Sequence, residues 1–138
     1  MTLPTEITGP FLGVSAIVTR NGAVLLGRRR GAHGAGTWAF PGGKPDPGEH
    51  PRDAVRRELL EETGLNARSV TPVAWTSDII VDSAQHYVTL HHLVGALGEP
   101  EVREPEKVEG WHWHRWDALP EPLFAPAASL HASGWRPD

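Results

Sequence analysis

The chain of 138 residues contains no cysteine. That removes disulfides, thiolate nucleophiles and cysteine–zinc sites in one step. Lysine is scarce: of the 13 basic residues only Lys44 and Lys107 are lysine, and the rest are arginine. No apolar run reaches the ~18 residues that span a bilayer, and no basic segment followed by an apolar stretch opens the chain. A formal net charge of −4 counts against a surface built to neutralise nucleic-acid phosphates. These absences predict a cytoplasmic protein with neither a membrane nor a nucleic acid as partner. What is present suits a folded chain: 39% apolar and 22% charged residues, at a length that fits one domain over 1–138.

Residues 1–10, with Pro4 and Gly9-Pro10, read as a lead-in. FLGVSAIVT (11–19) and AVLLG (23–27) read as strands joined at Asn21-Gly22, the strongest short hairpin signal. A Gly-rich loop (28–37), a short WAF segment (38–40) and a break at Pro41-Gly42-Gly43 follow. A helix is predicted over 51–63. Pro51 suits its first turn, Asp53 favours the N-terminal end of the dipole, and Gly64 supplies a stop. Val55, Leu59 and Leu60 are expected to form its buried face. Strands are predicted at 69–81 and 86–97, a polar loop at 98–110, and a last helix at about 124–133. WHWHRW (111–116) alternates as a strand does, which puts His112 and His114 on one face opposite Trp111 and Trp113. Those histidines, with His86, His91 and His92, read as strand residues rather than metal ligands. Helices packed on both sides of a sheet follow from this order.

Three glutamates crowd the central helix. Glu58, Glu61 and Glu62 stand at i, i+3 and i+4, so they share an arc of roughly 100° and are expected to reach one point. Each like-charge neighbour costs ~0.2–0.5 kcal/mol on an exposed helix. A solvated charged face, offset by Arg57 four residues before Glu61, is one explanation. A divalent cation is the other, because Mg²⁺ and Mn²⁺ take carboxylate oxygens and keep positions open for water and phosphate. The preceding GGKPDPG lets the backbone approach a ligand closely. Spacing alone leaves both open.

Gly43, five residues, Glu49, seven residues and Arg57-Glu58-Leu59-Leu60-Glu61-Glu62-Thr63-Gly64-Leu65 match every fixed position of the Nudix box, G-x5-E-x7-R-E-U-x-E-E-x-G-U, with U apolar. The chain therefore resembles the Nudix hydrolases. The resemblance implies an α/β fold, an α/β/α sandwich with a mixed β-sheet between helices. It also implies hydrolysis of a nucleoside diphosphate linked to another group. By position, Glu58, Glu61 and Glu62 are the implied metal ligands for Mg²⁺ (Mn²⁺ as the alternative), with the carbonyl of Gly42 or Gly43 adding another. Arg57 is the implied organiser of the cluster, and Glu49 supports the loop–helix junction or serves as a helix-start carboxylate. The general base is Glu58 or an acid of the 98–110 loop, Glu106 ahead of Glu104. For those two a solvated loop charge is the alternative.

LLGRRRGAHGAGTWAFPGG, HYVT (86–89), EPEKVEGWHWHRWDALPEPLF (104–124) and SGWRP (133–137) resemble the MutT-like (d)NTP pyrophosphatases of plants and animals. That group implies a nucleotide substrate cleaved to monophosphate and pyrophosphate, a role in nucleotide-pool sanitation, and a homodimer. Arg29 is then a contact to phosphates or base, with Phe40 and Thr89 near the nucleobase. Strand alternation turns Arg28 and Arg30 away from Arg29. Ala125-Pro126 stands where relatives often carry a base-stacking tryptophan, which leaves base preference open. ADP-ribose hydrolysis, an RNA 5′-triphosphate substrate and a non-catalytic nucleotide sensor are the alternatives, and the intact glutamates count against the last.

Overall fold

Alternation along one long strand organises the molecule into three layers. The computed structural model describes residues 6–31 and 33–138; the first half of the expected lead-in, residues 1–5, lies outside them. Strand β1 runs Thr8–Arg20, so residues 8–10 of that lead-in are already sheet. Because neighbouring strand residues face opposite sides, Val14, Ala16 and Val18 pack with Ala54, Val55 and Leu59 of helix α1 (Pro51–Thr63). Ile17 packs with Ala127 and Leu130 of helix α2 (Ala125–Ala132) instead. Strand β2 (Ala23–Arg29) repeats the division, with Leu25 on the α1 side and Val24 and Leu26 on the α2 side. The result is the α/β/α sandwich.

The main path of the sheet is β3 (Trp38–Ala39), β2, β1, β6 (Gln85–Ala96), β5 (Ala67–Ile80). Strand β4 (Gly42–Gly43) pairs with β1, and β7 (Val108–Arg115) pairs with β2. β1 and β6 run parallel, whereas the other pairings are antiparallel, so the sheet is mixed. Asn21 and Gly22 both hold positive φ (52° and 80°), as a two-residue hairpin turn requires. β7 begins at Val108, inside the expected loop, and Trp116 turns out of the strand into a 3₁₀ turn, Trp116–Ala118.

Helix α1 has the predicted span. The His50 ring accepts the Arg52 N–H at 3.1 Å, Pro51 opens the first turn, and Gly64 (φ 77°) closes the helix by donating to the Leu60 carbonyl at 2.9 Å. Its buried face differs from expectation. Ala54, Val55, Leu59 and Thr63 are inside, whereas Leu60 is 40% exposed. Val55, Leu59 and Thr63 follow one i+4 row, and Leu60 lies ~100° around from it. Thr63 is tolerated there because its hydroxyl donates to the Leu59 carbonyl at 2.7 Å and accepts the Leu65 N–H at 3.1 Å. No helix among the described residues is long and apolar enough to cross a membrane.

Candidate active site

A cavity of about 730 Å³ gathers residues from β1, β2, β4, α1, β6, α2 and the loop before β7. Arg29, Phe40, Gly42, Gly43, Glu58, Glu62, Thr89, Glu104 and Glu106 all line it. Of the residues expected in the site, Arg57 and Glu61 are not in the lining, and they take a different place.

Arg57 is the hub beneath the helix start. Its Nε and Nη2 donate to the two oxygens of Glu49, both at 2.9 Å. Nη1 donates to Glu58 at 2.9 Å and to Glu61 at 3.3 Å, and Nη2 also donates to the Lys44 carbonyl at 3.0 Å. One planar fork thus ties the Gly-rich loop to the helix. The Arg57 hydrogen bonds, followed by the Asp46 N–H, pull the Glu49 carboxyl down to about 2. The Glu49 charge in turn pushes the guanidinium further above its ordinary value.

Glu58 and Glu62 meet; Glu61 does not join them. Glu61 stays exposed and turns to Arg57, so the expectation that all three carboxylates reach one point is corrected. An arc of ~100° is wide enough for its outer edge to remain in solvent. Among the described residues no group of three acidic or histidine side chains is preassembled as a metal shell. Burial raises Glu62 well above the carboxylate range, and the neighbouring Glu58 charge adds to the effect. Burial also raises Glu58, opposed by its bond to Arg57. The Glu62 Oε2 accepts the Gly42 N–H at 3.1 Å. A pair of hard oxygen donors crowded together, with only Glu58 bonded to an arginine among the described residues, fits a divalent cation such as Mg²⁺.

The glycines before the helix are steric necessities. A Cβ on Gly42 would overlap the Val14 carbonyl oxygen of the paired strand, and one on Gly43 would sit inside the Glu58 carboxylate. At the other end of α1, the Glu101 N–H donates to the Thr63 carbonyl at 2.8 Å. The Arg103 N–H (3.4 Å) and the Trp111 Nε1–H (3.3 Å) both donate to the Glu62 carbonyl. The loop is thereby fastened to the helix and brings Glu104 to bear on Glu62, whose carboxyl its charge raises further. Glu104 also pairs with Lys107 at 3.4 Å and is half-buried, whereas Glu106 is exposed. Both acids line the cavity, Glu104 being the one whose charge acts on Glu62.

Arg29 lies mostly buried, which lowers its pKa; its Nε donates to the His33 carbonyl at 2.9 Å and its guanidinium lies 4.1 Å from the Phe124 ring centre. It has no carboxylate partner among the described residues. Arg28 turns away to Glu109 at 3.4 Å, as alternation predicts. Arg30 nevertheless reaches the cavity, because β2 ends at Arg29 and strand alternation does not extend to it. His112 and His114 stand edge-on to Trp38, with ring centres 6.1 and 5.1 Å away, in keeping with packing residues. Ser15, Tyr87, His91 and Phe124 also line the cavity without having been singled out as site residues. The signal for His91 was its place in LHHLV, where a polar ring interrupts an apolar strand.

With this geometry in view, comparison with known proteins is direct. The NUDIX domain family profile matches residues 9–133. The MutT NUDIX hydrolase from Burkholderia pseudomallei superposes with a TM-score of 0.82 at 36% identity, over 89% of this chain and 97% of that one. The NUDIX domain of Shewanella oneidensis NrtR, solved with ADP ribose, has a TM-score of 0.72 at 22% identity, over 94% and 90%, a likeness of fold. An RNA pyrophosphohydrolase from Yersinia enterocolitica serotype O:8 / biotype 1B is 46% identical over 67 residues, 49% of this chain and 36% of that protein. The match thus spans about a third of that relative's length. These relatives are bacterial and do not support the expected placement with the plant and animal group. On the profile and the near full-length structural match together, the chain belongs to the NUDIX hydrolase family.

Proposed function

We propose that the cavity hydrolyses the diphosphate bridge of a nucleotide derivative, with a (d)NTP or modified (d)NTP cleaved to monophosphate and pyrophosphate as the first substrate class. The observation that carries this reading is the pair of carboxyls, Glu58 and Glu62, lining the cavity with Glu58 braced by Arg57. Glu58 and Glu62 would hold the divalent ion, with Glu61 and the Gly42 carbonyl as further ligands. A bound Mg²⁺ would neutralise phosphate oxygens and acidify water. Arg57 opposes the burial that raises the Glu58 pKa and holds the carboxyl in place. Arg29, buried without a carboxylate, offers its charge to substrate phosphate. Glu104 takes the proton of the attacking water.

Replacing Glu104 with glutamine is expected to lower kcat by ~10²-fold, the size of a lost general base. The Glu106→Gln variant is expected to stay within ~3-fold of wild type, as exposed charges do. Stopped-time assays separate the two, and the reverse ranking would return the role to Glu106.

The decisive experiment is a substrate panel with Mg²⁺ and chromatographic identification of products. Monophosphate plus pyrophosphate from a nucleoside triphosphate supports the proposal; AMP plus ribose phosphate as the preferred reaction, from ADP-ribose, displaces it. A second reading, removal of pyrophosphate from an RNA 5′ end, is favoured by the RNA pyrophosphohydrolase relative. The same panel includes a 5′-triphosphorylated oligonucleotide, and faster turnover of that substrate selects this reading.

A further inference from the structure

His91 is fully buried in β6, and both of its ring nitrogens are engaged by hydroxyls. Nδ1 lies 2.6 Å from Ser15 Oγ and Nε2 lies 2.9 Å from Thr76 Oγ1. Burial holds the ring neutral, with its pKa pulled down to about 4. A neutral imidazole carries one N–H, so one nitrogen donates and the other accepts. Only two orderings of the three groups exist.

If Nε2 carries the hydrogen, Thr76 accepts it and the Thr76 O–H needs an acceptor of its own. The described residues offer that buried hydroxyl none besides His91. A buried donor left unpaired is costly. If Nδ1 carries the hydrogen, Thr76 donates to Nε2 and His91 donates to Ser15. The hydrogen left over is then that of Ser15. Ser15 and His91 line the cavity and Thr76 does not, so the surplus donor falls at the one place where a ligand can accept it.

We propose that Thr76, His91 and Ser15 form a one-way hydrogen-bond chain that presents the Ser15 hydroxyl to the cavity as a fixed donor, selecting nucleobases that offer a carbonyl oxygen there over those that offer an amino group. The proposal rests on the reading of this cavity as a nucleotide site. Phe40, whose ring centre stands 6.3 Å from that of His91, supplies the apolar wall beside this edge. A site built to hydrogen-bond one group rejects an analogue that leaves its donor facing another donor. Ser15 touches the base; Thr76 and His91 are positioning residues that act through it.

The test compares inosine and adenosine triphosphates, whose bases differ in the 6-keto or 6-amino group and the attendant ring proton. Both kcat/KM and Kd, the latter by tryptophan fluorescence, are measured for wild type, Ser15→Ala, Thr76→Val and Thr76→Ser. Wild type is expected to favour the keto base by ~10-fold or more, and Ser15→Ala to bring the ratio within ~2-fold of unity by losing the keto substrate. Thr76→Val should lower the ratio and Thr76→Ser restore it. In parallel, ¹⁵N NMR of histidine-labelled protein should show His91 protonated at Nδ1 in wild type and in Thr76→Ser, but not uniquely so in Thr76→Val. A ratio unchanged in Ser15→Ala, no keto preference in turnover or binding, or protonation at Nε2 overturns the proposal. Absence of any hydrolysis would instead strike the functional reading, while the tautomer and the binding ratio still decide the chain's direction.

Discussion

Glu62→Gln is expected to abolish turnover while making the metal-free protein more stable. Glutamine keeps the shape and still accepts the Gly42 N–H, but it cannot supply a full negative charge to a cation. Losing that contribution should lower kcat by ~10³-fold or more, since metal stabilisation of phosphoryl charge amounts to several kcal/mol. Stability moves the other way. The folded protein holds the Glu62 carboxyl well above its unfolded value, so it binds more protons than the unfolded chain at neutral pH. Stability of the wild type is therefore lost as pH rises from the unfolded carboxylate range, ~4.3, toward the raised folded value. Glutamine has no such loss. Thermal melts in chelator should show Glu62→Gln melting higher at pH 7.5 and level with wild type near pH 4. Adding Mg²⁺ should raise the wild-type midpoint and leave the variant's alone. Wild-type-like hydrolysis by this variant would remove Glu62 from the proposed metal site.

The two glycines ahead of the helix should fail in different ways. In Gly42→Ala the new methyl meets the Val14 carbonyl oxygen, which is held by the β1–β4 pairing and cannot move alone. The strand pair must open, at a cost of about 3 kcal/mol or more, equivalent to roughly 10 °C in Tm. In Gly43→Ala the obstacle is the end of the Glu58 side chain, which can swing aside. The fold should survive with a loss of ~1 kcal/mol, whereas kcat falls ~10²-fold because a metal-holding carboxylate is displaced. Melting curves and steady-state kinetics on the same preparations make the comparison. Equal loss of Tm in the two variants would show that Glu58 is as immovable as backbone.

The span of helix α1 was legible because its signals are local: a proline that fits the first turn, a left-handed glycine at the end, and a motif whose spacing lies within one helix. Leu60 was misjudged because apolarity was weighed without Thr63, which enters the core once its hydroxyl finds two backbone partners. The outward turn of Glu61 had the same origin. Periodicity gives an arc, and Arg57 decides which members of that arc face inward. Glu104 is brought towards Glu62 by bonds from its loop and from Trp111 to the end of α1, pairings no sequence spacing announces. The Ser15–His91–Thr76 chain was least visible. Its members come from three strands and resemble ordinary strand residues until the sheet brings them together.

The parallel seam between β1 and β6 has a consequence for the order of folding. It aligns Gly13 with Thr89 and Ser15 with His91, partners 76 residues apart, so it closes a far larger loop than the Asn21-Gly22 hairpin. Long loops cost more chain entropy to close, and contacts of this separation slow folding and form after local ones. The hairpin and α1 with its glutamates can begin to form from neighbouring residues. The cavity cannot, because Gln85, Tyr87, Thr89 and His91 of its lining arrive only with β6. Competence to bind substrate is thus acquired late, which leaves partly folded chains inert toward nucleotides even where the acidic helix is already in place.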